Sequence, residues 1–361
     1  MSEKILSIVI PTYNMEKYLN RCLDSIVLPE ILPKIEIIVV NDGSKDNSLL
    51  IAESYAKKNP DSVKIIDKPN GNYGSCINAA LKIASGKYFR ILDADDWFNS
   101  SNFIRLINEI EHLDVDMIIT NFSKEFIDGH SEVPVKNTDK VPSEQICDFR
   151  TFDFEGQGFP YLLAMHAITY RTQLLHEIDY RQTEGISYTD TEYCFYPLAH
   201  VKNFVFYNFV LYQYYFGHEG QTISSSATAK NKEHFYKLTT DILNYLSDKA
   251  SNEKIVRKQQ YMILERIAKC YYTSILIFNP EKEEDNAKLA AIDNQIKKQN
   301  PDSYANLSNC DYHDVKYIRL WRKKGIYFSD PQKFVFFKWY LKLRFSLKRS
   351  RILSSLYRSL K

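Results

Sequence analysis

Residues 88–97 read YFRILDADDW, a largely apolar run followed by aspartates at positions 93, 95 and 96. The apolar run reads as a buried strand, which puts the acids at its carboxyl end. Carboxylates this close raise one another's pKa unless a cation sits among them. On a tight turn, aspartates two or three positions apart can aim oxygens at one hard divalent ion, and Mg²⁺ characteristically joins one or two carboxylates to substrate phosphates. A solvated acidic turn capping the next helix is the plainer reading, and the motif alone leaves both open.

The neighbouring sequence alternates strands with helices. LSIVIP (6–11), IEIIVVND (35–42) and VKIID (63–67) read as strands before YFRIL, and DMIIT (116–120) as one after it. Helical patterns fill the gaps over 16–27, 44–58, 72–86 and 101–113, with Ser44 as the expected cap of the second and Gly86 closing the third. Strands separated by helices of this length predict a parallel α/β sheet. Ligands of open parallel sheets bind beyond the carboxyl ends of the strands. The ends at Pro11–Asn14, Asn41–Asp42 and Asp93–Asp96 therefore converge on one crevice. Residues 124–150 are polar and aperiodic, an irregular excursion. FVFYNFVLYQYYF (204–216) reads as strands, and 233–250, 254–278 and 283–299 as helices. A first domain over 1–225 and a helical C-terminal domain over 226–361 follow.

Composition sets outer bounds. The chain has 361 residues, 44% hydrophobic and 25% charged, an ordinary globular balance for two domains. The 26 Tyr and 21 Phe are read first as core filling and second as lining for sugar or membrane. MSEKILSIVIPTYN lacks the pattern of a signal peptide, and no apolar run reaches the length of a membrane span. The six Cys stand 40 to 76 residues apart without a CxxC pair, which argues against zinc and for reduced thiols in the cytoplasm. Residues 315–361 hold 14 Lys and Arg and one acid, a net +13; the chain totals +2, so residues 1–314 carry −11.

Four stretches, LSIVIPTYNMEKYLNRCLDSI, IEIIVVNDGSKDNS, NGNYGSCINAALKIASGKY and ILDADDW, taken in this order and spacing, resemble glycosyltransferase family 2. The likeness is close over 5–125 and looser over 126–225. It implies the GT-A fold, a Rossmann-like, mostly parallel sheet flanked by helices, and inverting transfer of a sugar from a nucleotide diphosphate sugar. By that resemblance Pro11, Thr12, Tyr13 and Asn14 line base and ribose, and Asp42 accepts from a uracil ring, which favours a UDP-sugar. Asn70, Gly71, Tyr73, Gly74 and Ser75 would lie over the nucleotide. Asp93-Ala94-Asp95 matches the DxD motif, with Asp95 favoured as the ligand of Mn²⁺ or Mg²⁺, Asp93 nearer the ribose or a water ligand, and Asp96 beside them. Such an ion would stabilise charge on the departing diphosphate. One departure is Ile77, where many members carry Arg.

An inverting transfer needs a general base facing the acceptor hydroxyl. ISYTDTEYCFYPLAHV (186–201) resembles the family's base segment, with Asp190 in the base position, Thr189 in place of the usual Glu, and Glu192 as fallback. A pure helix cap at Thr189 and Asp190 is the competing reading. MHAITYR (165–171) makes His166 and Arg171 candidate acceptor or phosphate contacts, and His218 in the loop after the last strand a candidate metal ligand or phosphate contact. Each histidine is weighed against an ordinary core or loop role.

The tail after Asp330-Pro331 reads as a basic helix carrying Trp339 and phenylalanines, suited to an anionic membrane surface. Packing on the helical domain competes with this; nucleic acid ranks last. The expected protein is a cytoplasmic enzyme held at the inner face of the cell membrane. It would act on a glycan, lipid-linked or glycoprotein acceptor in surface polysaccharide synthesis, with a homodimer left open. The alternatives are a sugar-1-phosphate nucleotidyltransferase and a non-catalytic glycan-binding relative. Measured release of UDP from a panel of UDP-sugars separates them.

Overall fold

The computed structural model describes residues 4–217, 225–279, 283–312, 315–325 and 327. Contacts divide the chain into two compact units. One comprises Met1–Gln221 and Lys249–Ile263, the other Thr222–Asp248 and Leu264–Lys361 as far as they are described. His218 and the tail from 328 onward lie outside the described residues, so the metal reading of His218 and the membrane reading of the tail have no structural counterpart here.

In the first unit ten strands form one mixed sheet: β1 Leu6–Thr12, β2 Ile35–Asn41, β3 Val63–Asp67, β4 Tyr88–Ile91, β5 Trp97–Phe98, β6 Met117–Phe126, β7 Ser131–Glu132, β8 Ile146–Asp148, β9 Ile168–Arg171 and β10 Asn203–Phe216. Their order is β3-β2-β1-β4-β9-β6-β10-β5, with β7 on β6 and β8 on β10. The four strands read first from the sequence pair in parallel, and β1, β2 and β4 are buried almost throughout, as continuous apolar runs between two helical layers must be. β9 then runs antiparallel to both β4 and β6 and joins the parallel half to the β6–β10 pair. The class is α/β with a helical C-terminal region, and antiparallel pairing is confined to the later strands.

The helices of this unit are α1 Leu19–Asp24, α2 Ser48–Lys58, α3 Asn72–Leu81, α4 Ser100–Ile110, α5 Thr172–Glu177 and α6 Asp190–Phe195. Two boundaries differ from the sequence reading. α2 starts at Ser48 because the residues before it are used elsewhere. Ser44 Oγ accepts the Asn14 N–H at 3.0 Å, and Asp46 takes the Glu16 N–H at 2.9 Å and the Ser48 N–H at 3.0 Å. That turn locks the loop leaving β1. α3 stops at Leu81 because the chain must bring Gly86 against β1, where a Cβ would stand 2.4 Å from the Ser7 nitrogen. The closure rests on Glu36, 1% exposed, whose carboxylate accepts from Ser7 Oγ and from the nitrogen and hydroxyl of Ser85.

β10 spans 14 residues and shifts register against β6 between Tyr207 and Tyr212. The polar excursion over 124–150 contributes the end of β6, then β7, β8 and a short turn of helix. The second unit is helical: α7 Ser225–Lys230, α8 Lys232–Lys249, α9 Lys254–Thr273, α10 Glu283–Gln299, α11 Pro301–Asn309 and α12 Tyr317–Lys324, with the first turns of α9 falling in the first unit. Asn300 caps α11, its side chain accepting the Ser303 N–H at 3.0 Å with Pro301 at the first helical position. Arg322 of α12 donates to Asp293, the Tyr304 carbonyl and Ser308, and its guanidinium lies 3.6 Å from the Tyr304 ring centre.

Candidate active site

The crevice is built at the carboxyl ends of β1, β2 and β4. Asp42, 3% exposed, follows β2; its N–H donates to the Thr12 carbonyl at 2.8 Å. Its Oδ1 accepts from Lys68 Nζ at 2.6 Å and from the Gly71 N–H at 2.9 Å. The Asn70 side chain donates to the Asp42 carbonyl, and Lys68 also reaches Ser75 Oγ at 2.8 Å. Residues 70–75 are thereby folded over the end of β2. Beside them Thr12 is buried, Pro11 is half-buried and Tyr13 is exposed; Asn14 sits at φ 56, its side chain accepting the Lys45 N–H. Asparagine tolerates that left-handed backbone better than most residues.

Tyr73 connects this half to the aspartates, its hydroxyl donating to Asp93 Oδ1 at 2.8 Å. The cluster itself is anchored by β10. Tyr212 OH accepts the Asp93 N–H and donates to Asp96 Oδ2 at 2.6 Å, while the Tyr215 N–H donates to Asp96 Oδ1 at 2.7 Å. His166 is packed among Phe122, Tyr212 and Tyr214, ring centres 4.5 to 5.2 Å away. One ligand atom each from Asp93, Asp96 and His166 lies within 4.8 Å of the other two. Asp95, the ligand favoured from the sequence, is not part of that group. Its carbonyl accepts from Arg21 Nη2 at 2.8 Å, and the Arg21 guanidinium stands 3.8 Å from the Trp97 ring and 4.4 Å from that of Tyr215. Ala94 is buried between.

The charges in this pocket are out of balance. Burial, then Asp95, and then Asp190 push the Asp93 carboxyl up to about 8, against its hydrogen bond from Tyr73. Burial, then Asp95 and Asp93, push Asp96 well above the carboxylate range, opposed by its bonds from Tyr212 and Tyr215. Burial and the nearby Arg90 guanidinium lower His166 to about 3, leaving a neutral imidazole. Two carboxylates and a neutral imidazole are groups that can hold a divalent metal ion, and a cation there would relieve the repulsion. Each Asp96 oxygen retains a lone pair beyond its bond to β10. The residues present fit a divalent ion.

Asp190 opens α6, two residues after Tyr188 in left-handed backbone at φ 69. Burial raises its pKa, opposed by hydrogen bonds from backbone N–H groups including that of Thr191. Its charge is felt at both Asp93 and Tyr73, so the structure brings it to the same crevice. Thr189 is buried and makes no capping bond, contrary to the reading that it caps the helix. Glu192 faces elsewhere: its carboxylate accepts the N–H and the hydroxyl of Thr183, both at 2.7 Å. Arg171 is not brought to the crevice. It pairs with Tyr88 at the opening end of β4, opposite Asp93, and its guanidinium is held by Asp114 and Asp116. A β-strand separates the two ends, so the phosphate or acceptor role read for Arg171 fails on geometry.

Several contributors were not found in the sequence. Tyr212 and Tyr214 face the aspartates from β10, and their two-residue spacing was the available signal, since alternate strand residues share a face. Arg21 sits on a short helix 74 residues before its partner Asp95, and no local pattern announces such a pair.

Residues 7–179 match the model of glycosyl transferase family 2. Over 130 residues, 36% of this chain and 37% of the relative, the sequence is 39% identical to an uncharacterized glycosyltransferase of Bacillus subtilis, EpsJ. Over 220 residues, 59% of this chain and 71% of the relative, it is 28% identical to glycosyltransferase GlyG of Streptococcus pneumoniae. The chain spans less than half the length of the first curated relatives it matches. In structure it superposes on S. aureus TarS 1–349, solved in complex with UDP-GlcNAc, with a TM-score of 0.60 at 21% identity over 83% of either chain. The fold is therefore GT-A, and residues 7–179 are a glycosyl transferase family 2 segment.

Proposed function

We propose that the chain is an inverting glycosyltransferase that moves a sugar from a nucleotide diphosphate sugar, UDP-linked before others, onto a hydroxyl of a surface glycan, lipid-linked glycan or glycoprotein. The observation that carries this reading is the placement of Asp93, Asp96 and His166 in one crevice with Asp190, next to the polar end of β2 at Asp42. TarS, of like fold, was crystallised with UDP-GlcNAc and with UDP, which supports a uridine donor.

In this reading the nucleotide lies across Pro11–Asn14 and residues 70–75. Asp93, Asp96 and His166 would hold Mn²⁺ or Mg²⁺, which when bound supplies Lewis-acid stabilisation of the diphosphate leaving group. Tyr73 and Tyr212 fix the carboxylates by donating to them. Asp190 accepts the proton of the acceptor hydroxyl as it attacks the anomeric carbon from the face opposite the diphosphate, and its raised affinity for a proton suits a general base. The product anomer is inverted in a single displacement. The first domain, 1–225, would carry this chemistry, and the basic tail beyond 330 would bring the enzyme to anionic lipid on the cytoplasmic face. Among the described residues no helix is long and apolar enough to cross a membrane.

The test is UDP release from a panel of UDP-sugars with Mn²⁺, with Mg²⁺ and after chelation, followed by NMR of the product anomer. Metal-dependent release with inversion supports the reading. Turnover unaffected by chelator, or retained anomeric configuration, refutes it.

A further inference from the structure

The stretch between Thr183 and Glu192 carries Asp190. Glu192 is 1% exposed, and its two oxygens accept the hydroxyl and the N–H of Thr183, closing the stretch 183–192 upon itself. The closed loop is then fastened to α3. Asn78 exchanges two bonds with the Gln182 backbone, donating to its carbonyl at 2.9 Å and accepting its N–H at 2.8 Å, and also donates to Glu184. The Gly185 N–H donates to the Gly71 carbonyl at 2.9 Å. Between these bonds the Thr183 carbonyl presses on α3 so closely that a Cβ at Gly74 would stand 2.3 Å from it. Gly71 is itself bonded through its N–H to Asp42, and Tyr73 of the same turn bonds Asp93.

A buried carboxylate is costly to keep unless the geometry it fixes matters. We propose that Glu192 is a positioning residue. By locking Thr183 onto the start of α3, it makes the Asp190 loop and residues 70–75 one mechanical piece, so that occupation of the nucleotide side sets the placement of Asp190. This rests on the reading of the crevice as a donor site. The coupling runs through Asn78, Gly74 and Gly71 as well as Glu192, and is reciprocal: what orders residues 70–75 orders 183–190.

The experiment measures binding of UDP with Mn²⁺ by calorimetry, amide hydrogen exchange over 180–192 with and without UDP, and UDP release from the donor that wild type uses best. Variants are Glu192→Ala, Glu192→Gln and Asn78→Ala, the last a half-buried helix position where alanine favours the native helix. In wild type, UDP should slow exchange across 183–190. In Glu192→Ala and Asn78→Ala, UDP affinity should stay within about threefold while the protection is lost and turnover falls about 10–100-fold, the order expected when a catalytic group is misplaced by an ångström. Glu192→Gln can accept the Thr183 N–H and donate to its hydroxyl, and should restore protection and rate. The proposal is overturned if both alanine variants keep wild-type protection and rate, or if affinity, melting temperature and rate decline in parallel in both. A wild-type protein that binds no UDP refutes the donor reading and the coupling with it.

Discussion

At the scale of single residues, neighbouring carboxylates diverge in role because their partners differ. Asp96 is held by Tyr212 and Tyr215, Asp93 by Tyr73, and Asp190 has backbone N–H groups as its named donors. Asp190→Asn keeps shape and removes basicity, so turnover should fall about 10²–10⁴-fold with UDP affinity little changed, measured by steady-state kinetics beside calorimetry. His166→Ala should weaken Mn²⁺ binding, read by metal titration of the protein without any donor, because one of three gathered ligand atoms is gone. Arg171→Ala tests a correction. Its guanidinium holds Asp114 and Asp116 at the far end of β4, so activity should stay within about threefold while thermal stability drops by the roughly 1 kcal/mol typical of a partly buried pair. Loss of activity in a stable Arg171→Ala protein would return that arginine to the site.

At the scale of elements, the amino end of the parallel strands depends on one buried acid. Glu36 on β2 joins β1 through Ser7, the turn after α3 through Ser85, and β3 through Lys64. Burial by itself would raise its pKa, but the bonds from Lys64, Ser85 and Ser7 outweigh it and the net shift is downward from 4.5. The sign follows from linkage: a carboxyl with depressed folded pKa adds stability above its unfolded value and loses it as pH falls through the folded one. Acid unfolding of wild type should therefore steepen below about pH 4.5, and Glu36→Gln should flatten that limb while costing about 1–3 kcal/mol near neutrality, followed by urea titration across pH. Legibility at this scale was uneven. β1, β2 and β4 were visible because strands buried on both faces become unbroken apolar runs. The start of α2 was not, because Ser44 and Asp46 look like helix caps and instead bond the loop from β1, a partner about 30 residues distant.

At the scale of the whole molecule, charge divides along the chain: residues 315–361 carry a net +13 while the whole carries +2. The proposal for the tail predicts that full-length protein floats with anionic liposomes at low salt and that a 1–325 protein does not, with flotation fading as salt screens the surface. Equal flotation of both would remove the membrane role. What the sequence determined by itself was the parallel half of the sheet, the helical C-terminal region, and the family, because each is written in contiguous residues: apolar runs, helical periodicity and four ordered motifs. What only the tertiary structure decided was which side chains meet. Asp93 and Asp96 meet His166; Arg171 turns away; Glu192 holds Thr183. These outcomes depend on β9 entering antiparallel between β4 and β6 and on the register shifts of β10, which carry distant residues to YFRILDADDW. Local pattern records which face a residue takes, but not which distant element will be packed against it.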